Sequence, residues 1–432
     1  MRRPFSLVTL LLAAVAVVPA GAAPLAHREV LANGIRLLVA PRPAIPIVAL
    51  RMSLRAGSAV DPPDAPGLAN LTAELLTRGT AKRTGPDLDR AIEFVGGALE
   101  TDASRDGMTV SLAVLKKDLD LGLDLLAEVL LTPTFPEEEL KRKVAEIDAA
   151  LRRSEENPEA VAGRALARLI YAGHPYAHPI AGTVESVGRL TRDQVVAFHR
   201  AYYRPDTATI AVVGDVTVDE IRAAIGRRLG GWTAPASPPP AVPLAPAQPS
   251  VATEKITRDL TQATVYLGRP GVRHGDPDYF PLLVANYILG GGSASRLYTH
   301  VREERGLAYS VYSSLSPGLY GSSLTVGLQT RVEAVDEAVR VARGEMARMG
   351  QQPIDARELS LAKSYLIGSF PLRLDTSRKV ADVLIGIEDY GLGLDYPEHF
   401  RSEVGKVSAA DVARVAARYL DPATFSSVTV GK

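Results

Sequence analysis

The sequence predicts an α+β protein made of two homologous α/β sandwich domains, each a mixed sheet with helices packed on it. Three observations predict it: an internal repeat at an offset of 217, alternating strand-like and helix-like segments in each half, and a proline tract between the halves. In the repeat, Thr191 pairs with Ser408, Val195 with Val412 and Tyr202 with Tyr419. Pro205 pairs with Pro422, Thr207 with Thr424 and Gly214 with Gly431. One uniform offset across several elements implies duplicated domains rather than a short-period solenoid.

Residues 1–23 read as a signal peptide. Arg2 and Arg3 give a short basic start, Phe5 to Val18 is apolar, and Ala20-Gly21-Ala22-Ala23 offers small residues for cleavage near Ala22 or Ala23. The apolar run is too short for a confident membrane span, and a retained anchor is the alternative reading. The short basic region favours the general secretory route over a twin-arginine route. A chain of 432 residues with no cysteine has no disulfides and no thiolate metal ligands. The periplasm fits an exported protein that relies on large cores instead.

The first domain is expected over 24–232. Ile35–Val39 and Val48–Leu54 have strand patterning, and a helix starts near Gly67. Gly96-Gly97 marks a turn before a strand at Met108–Leu112. Residues 117–131 and 136–153 read as amphipathic helices, the first with Leu119, Leu123, Leu126 and Leu130 on one stripe. Thr191-x-x-Gln194 is a capping box, and Ser408-x-x-Asp411 is its counterpart in the second domain. After each helix come a Pro turn and a β-rich run, Thr209–Val213 and Ser427–Val430. Residues 233–250, with seven prolines, read as an extended, semi-rigid linker. The second domain then covers 251–432.

Composition excludes some functions. Lys+Arg and Asp+Glu are both 49, so no net basic face is available for nucleic acid. Thiol catalysis needs a cysteine, and no G-x-S-x-G elbow is present. His174-Pro-Tyr-Ala-His178 has the spacing of a metal pair, but Pro175 and Pro179 break any helix that would align the rings. Gly290-Gly291-Gly292 lacks a following Lys-Ser/Thr for phosphate and reads as a helix C-cap and turn that uses the freedom of glycine at positive φ.

Residues Gly67 to Thr80, G-L-A-N-L-T-A-E-L-L-T-R-G-T, resemble the signature helix of the insulinase/pitrilysin metallopeptidases, the inverzincins, whose motif is H-x-x-E-H. The resemblance covers nearly the whole mature chain. It places Asn70 and Glu74 where that family has its two zinc-binding histidines, and Ala73 where it has the general base. Glu155-Glu156-Asn157-Pro158-Glu159 matches the segment after the family's third ligand, which puts Ala150 at that ligand's position. Glu146 and Asp148 lie nearby but read as a solvated helix face. One carboxylate does not hold zinc, so no cofactor is expected in this chain.

A second motif is intact. Residues 289–312, L-G-G-G-S-A-S-R-L-Y-T-H-V-R-E-E-R-G-L-A-Y-S-V-Y, resemble the family's C-terminal-half signature. Arg302 and Tyr309 match its Arg/Tyr pair, which in the family binds the scissile peptide and stabilises charge on its carbonyl oxygen. The resemblance therefore implies a non-catalytic subunit of a heteromeric zinc peptidase. Its partner would be a homologous H-x-x-E-H chain carrying the zinc, and its substrate a peptide or unfolded polypeptide. Leu99 to Thr109 lies where the family places the edge strand that peptides join, although Glu100, Thr101 and Asp102 depart from the usual pattern. The alternative is a metal-free scaffold or peptide-binding protein without hydrolytic role, as in the core subunits of the mitochondrial cytochrome bc complex, which belong to the same family.

Overall fold

The computed structural model describes residues 24–239, 241–247 and 251–431. The expected signal peptide lies outside the described residues. The first half contains β1 (His27–Val30), β2 (Arg36–Pro41), β3 (Ile47–Leu54), α1 (Leu68–Leu75), α2 (Gly85–Phe94), β4 (Ala98–Ala103) and β5 (Met108–Leu115). It continues with α3 (Leu119–Leu131), α4 (Glu137–Ser154), α5 (Pro158–Ile170), α6 (Val184–Val187), α7 (Arg192–Tyr202), β6 (Thr209–Gly214) and α8 (Val218–Leu229). The second half contains β7 (Thr253–Thr257), β8 (Gln262–Pro270), α9 (Tyr279–Gly290), β9 (Ala308–Pro317), β10 (Ser322–Arg331) and α10 (Val335–Gln351). It ends with α11 (Ala356–Ser369), α12 (Ser377–Tyr390), α13 (Tyr396–Lys406), α14 (Ala409–Tyr419) and β11 (Ser426–Gly431).

Two mixed sheets result. The first has strand order β1-β2-β6-β3-β5-β4 and the second β7-β11-β8-β10-β9. Apart from β1, the second sheet repeats the connectivity of the first. Each has one parallel pair, β2 with β6 and β7 with β11, and antiparallel pairs elsewhere. Both capping boxes form, at Thr191 with Gln194 and at Ser408 with Asp411. The helix and strand that follow occupy Arg192–Tyr202 and Thr209–Gly214 in one half, Ala409–Tyr419 and Ser426–Gly431 in the other.

β6 is buried along its whole length, because both faces of its sheet are covered. Ile210 and Val212 point into the core of the first half with Leu37, Val39 and Leu50. Ala211 and Val213, with Leu38 and Ala40, point the other way and meet Val380, Ala381 and Leu384 of α12. That helix belongs to the second half. The exchange is reciprocal: Val161, Ala162, Ala165 and Leu166 of α5 cover Val428 and Val430 of the second sheet. Each fully buried Val or Leu side chain in these seams stabilises the fold by about 2 kcal/mol. Small residues such as Ala211 and Gly268 let the helices lie close; a Cβ at Gly268 would come within 2.6 Å of Leu166.

Local chemistry sets the ends of both exchanged helices. Asn157 caps α5 by accepting from the N–H groups of Glu159 and Ala160, and Pro158 occupies the first turn. Gly391 ends α12 with φ 66°. Ion pairs rim the α12 seam: Arg28 with Glu388 at 2.7 Å, Arg51 with Asp382, and Arg55 with Asp389 at 3.7 Å. The described part of the proline tract carries no helix or strand but is tied down. Arg204 donates to the Ser237 carbonyl, His174 to that of Pro243, and the Ala245 N–H to that of Tyr320.

Two expectations need correction. Leu99–Thr109 is not one edge strand: β4 ends at Ala103, a turn follows, and Thr109 already lies in β5. The Gly290–Gly292 turn forms, but none of its three glycines has positive φ. The reason for glycine is proximity, since a Cβ at Gly290 would sit 2.3 Å from the backbone nitrogen of Ser313.

His199 on α7 is lodged between the rings of Phe135 and Tyr203, and its Nε2 donates to the Leu130 carbonyl at 2.9 Å. Burial pushes its pKa down from 6.5 to about 4. Between those values the unfolded chain takes up a proton that the folded chain refuses. The stability from the neutral ring is therefore complete above pH 6.5 and is lost as pH falls towards 4. In urea unfolding, wild type should lose about 3 kcal/mol more than His199→Gln between pH 7 and pH 4. Parallel losses in the two proteins would contradict this assignment.

Candidate functional site

Helix α1 carries Asn70, Ala73 and Glu74, and its position is fixed at its N-terminus. The Asp61 carboxylate accepts from the backbone N–H groups of Gly67 at 2.8 Å and Ala69 at 2.7 Å. Burial pushes the Asp61 pKa up to about 7, against the downward pull of those two bonds. Gly67 has φ 96°, and a Cβ there would come within 2.8 Å of the Ala181 carbonyl oxygen. A glycine is therefore required at the start of this helix. On its other side α1 meets β4, where the Thr101 hydroxyl donates to the Ala73 carbonyl at 2.8 Å. β4 is the outermost strand of its sheet.

Asn70, Glu74 and Ala150 line one cleft of about 590 Å³ between α1, α4 and α5. The chain thus brings together the three positions singled out as degenerate metal ligands. Ala73 is fully buried. The centre of the constellation is an ion pair. Lys143 of α4 places its Nζ 3.3 Å from Glu74 Oε2 and 2.9 Å from Glu146 Oε2. Asn70 Nδ2 donates to Glu74 Oε1 at 2.9 Å. Glu146 also pairs with Arg142, and Asp148 with Arg152, as on a solvated helix face.

These residues do not fit a zinc ion. Zinc needs three protein ligands and an open position for water. Here one carboxylate is available, and its oxygens are engaged by an amide donor and an ammonium. The ammonium supplies positive charge beside Glu74 without offering a coordination site.

The second motif builds a different surface. Residues Tyr298–Glu303 form a π-helical turn. Arg302 lies over the Tyr298 ring, 4.7 Å from its centroid, and donates to the Tyr298 hydroxyl at 2.7 Å. Tyr309 follows at the start of β9. The register of β9 against β10 slips there: Gln329 faces Ser310, and Thr330 faces Ala308. Tyr309 is the extra residue of a β-bulge and is 74% exposed. Bulges re-aim a side chain away from the regular pleat. β9 is also an edge strand.

Neither Arg302 nor Tyr309 lines the cleft. The neighbouring residues do reach its rim. Gln329 donates to Glu159 of α5 at 2.7 Å, and Ala160 beside it lines the cleft.

This arrangement, a motif helix beside an edge strand in the first half and a motif turn on the edge of a matching second sheet, agrees with the family comparison. The profile described as insulinase, peptidase family M16, matches residues 36–184, and the one described as peptidase M16 inactive domain matches 189–366. The chain belongs to the insulinase family, peptidase family M16. It is 31% identical to a protein of Mycobacterium leprae described as an uncharacterized zinc protease, over 81% of this chain and 79% of that one. It is 24% identical to a Helicobacter pylori protein described as a non-peptidase homolog, over 94% of this chain and 93% of the other. The crystal structure described as a peptidase M16 inactive domain from Pseudomonas fluorescens superposes with a TM-score of 0.88. It is 28% identical and covers 94% of this chain and 97% of its own. Within this M16 fold, the chain is a peptidase-like member of the family.

Sequence reasoning missed Lys143, and it set His178 aside together with His174. His174 and His178 flank a short 3-10 turn, as the prolines imply. His174 is structural: its Nδ1 accepts from the Tyr176 N–H. His178 lines the cleft, and burial holds its pKa below the ordinary value. Lys143 was readable only as one cation in a charged helix. Its position two turns before Ala150, on the same face, was the available signal.

Because Lys143 and Glu74 are partly buried and linked, removing one partner should cost more than removing both would suggest. A double-mutant cycle with Lys143→Ala and Glu74→Ala should give a coupling of about 1 kcal/mol at low salt, smaller at 1 M salt. Strict additivity in denaturant unfolding would show that the pair carries no net interaction.

Proposed function

We propose that this M16 protein is the non-catalytic subunit of a heteromeric periplasmic zinc metallopeptidase. A homologous partner carries H-x-x-E-H and the zinc. This chain supplies Arg302 and Tyr309 to the partner's site and forms one wall around the peptide. The observation that carries this reading is the bulge. Tyr309 is turned out of an edge strand and exposed, and Arg302, on the π-helical turn that precedes that strand, is held by a tyrosine rather than by an acid.

The chemistry suits the role. A tetrahedral intermediate carries an oxyanion, and positioned donors stabilise it. Arg302 offers a permanent charge and Tyr309 a hydroxyl donor. The chain's own cleft is engaged by the Lys143–Glu74 pair, which supports division of labour. A cleft without a set of zinc ligands would equally suit a scaffold; the exposed bulge favours the shared site. The matching connectivity of the two sheets further supports an origin by duplication. Localisation rests on the N-terminal basic and apolar run.

Purified alone, the chain should cleave no peptide and bind no stoichiometric zinc. Mixed with its H-x-x-E-H partner it should restore hydrolysis. Arg302→Ala should then lower kcat by about 100-fold, the scale of losing one oxyanion donor, with Tyr309→Phe also reduced. Full activity of both variants in the reconstituted complex would sink the shared-site reading.

A further inference from the structure

We propose that the cleft between α1, α4 and α5 is a binding site for a carboxylate set among apolar groups, with Arg105 as its anchor. Arg105 lies in the turn directly after edge strand β4. It lines the cleft opposite apolar walls that include Ile147, Ala150, Leu151 and Ala167. Its Nε is buried and has no hydrogen-bond partner. No acid pairs with its guanidinium among the described residues; its contact is with the face of Tyr176, 5.8 Å from the ring centroid.

The nearby acids are committed elsewhere. Asp106 accepts from the Tyr176 hydroxyl and from the Leu319 N–H. Glu74 is held by Lys143 and Asn70. The other cleft guanidinium, Arg164, is satisfied by Glu155 at 2.6 Å and Ser154 at 3.0 Å. Arg105 therefore stands as an unneutralised cation in an apolar cleft. A partly buried guanidinium without a partner is costly, and a carboxylate matches its planar fork with two parallel hydrogen bonds. A cleft of about 590 Å³ lies in the range of ligand sites.

Two sources share this chemistry: an acidic side chain of an extended peptide, or a peptide's terminal carboxylate. A strand laid along β4 would pass α1 and reach the Arg105 turn, so either group can be delivered. The proposal rests on the peptide-holding part of the reading above, but needs neither a partner nor zinc.

The test uses the full mature chain, without partner, and fluorescence anisotropy with three labelled decapeptides of otherwise neutral, apolar sequence. One carries a single internal Glu and an amidated C-terminus, one a Gln and an amidated C-terminus, and one a Gln and a free C-terminus. At least one carboxylate-bearing peptide should bind about 10-fold or more tighter than the wholly neutral one, and its identity names the source. Arg105→Ala should remove that difference, and Arg105→Lys, which keeps the charge but not the fork, should retain part of it. Thermal melting of Arg105→Lys guards against a folding defect. Equal binding of all three peptides by wild type, or carboxylate preference unchanged in Arg105→Ala, overturns the Arg105 site and leaves peptide holding intact. Absence of binding by any peptide overturns both.

Discussion

The structure depends on a reciprocal exchange of helices. Neither sheet is covered on both faces by its own half. α12 lies on β6 and its neighbours through Val380, Ala381 and Leu384, and α5 lies on β8 and β11 through Val161, Ala165 and Leu166. This explains why β6 is buried on both faces, Ile210 and Val212 on one and Ala211 and Val213 on the other. It also places the cleft. α5 is held by the second sheet while its exposed side faces α1 and α4 of the first half, so both sheets define the distance between the cleft's walls.

The charge at the cleft is set by a lysine beside a glutamate. In a zinc site, anionic or neutral ligands surround a cation that also binds water. Here the cation is a side chain, Lys143, already bonded to Glu74 and Glu146. It supplies positive charge beside Glu74. Helix α1, which carries Glu74, is positioned with care, by Asp61 at its N-terminus and by Thr101 against its backbone.

Much of this fold was legible in sequence because local signals and tertiary demands agree. The capping boxes at Thr191 and Ser408 name their helices, and the Pro and Gly residues name the turns. Family register singled out Asn70, Glu74 and Ala150, and the fold places all three on one cleft. What was not legible depends on contacts far apart in the chain. The stripe of Val161, Ala165 and Leu166 says that α5 is buried, but not that the surface burying it lies beyond the linker. The glycine triplet announced a turn, yet the reason for Gly290 was the backbone of Ser313, which no local pattern reveals. The solitary state of Arg105 is visible only when every nearby acid can be seen to have another partner.

The exchange also governs the order in which this protein can be made. The outer face of the first sheet, with Leu38, Ala40, Ala211 and Val213, has its cover only at residues 377–390. Until that stretch of chain has emerged, a nascent first half has a complete set of strands and a bare apolar face. Contacts of such long sequence separation form late, because the intervening loop must first be closed. The polypeptide therefore remains incompletely folded through most of its synthesis, and its two halves reach their final state together.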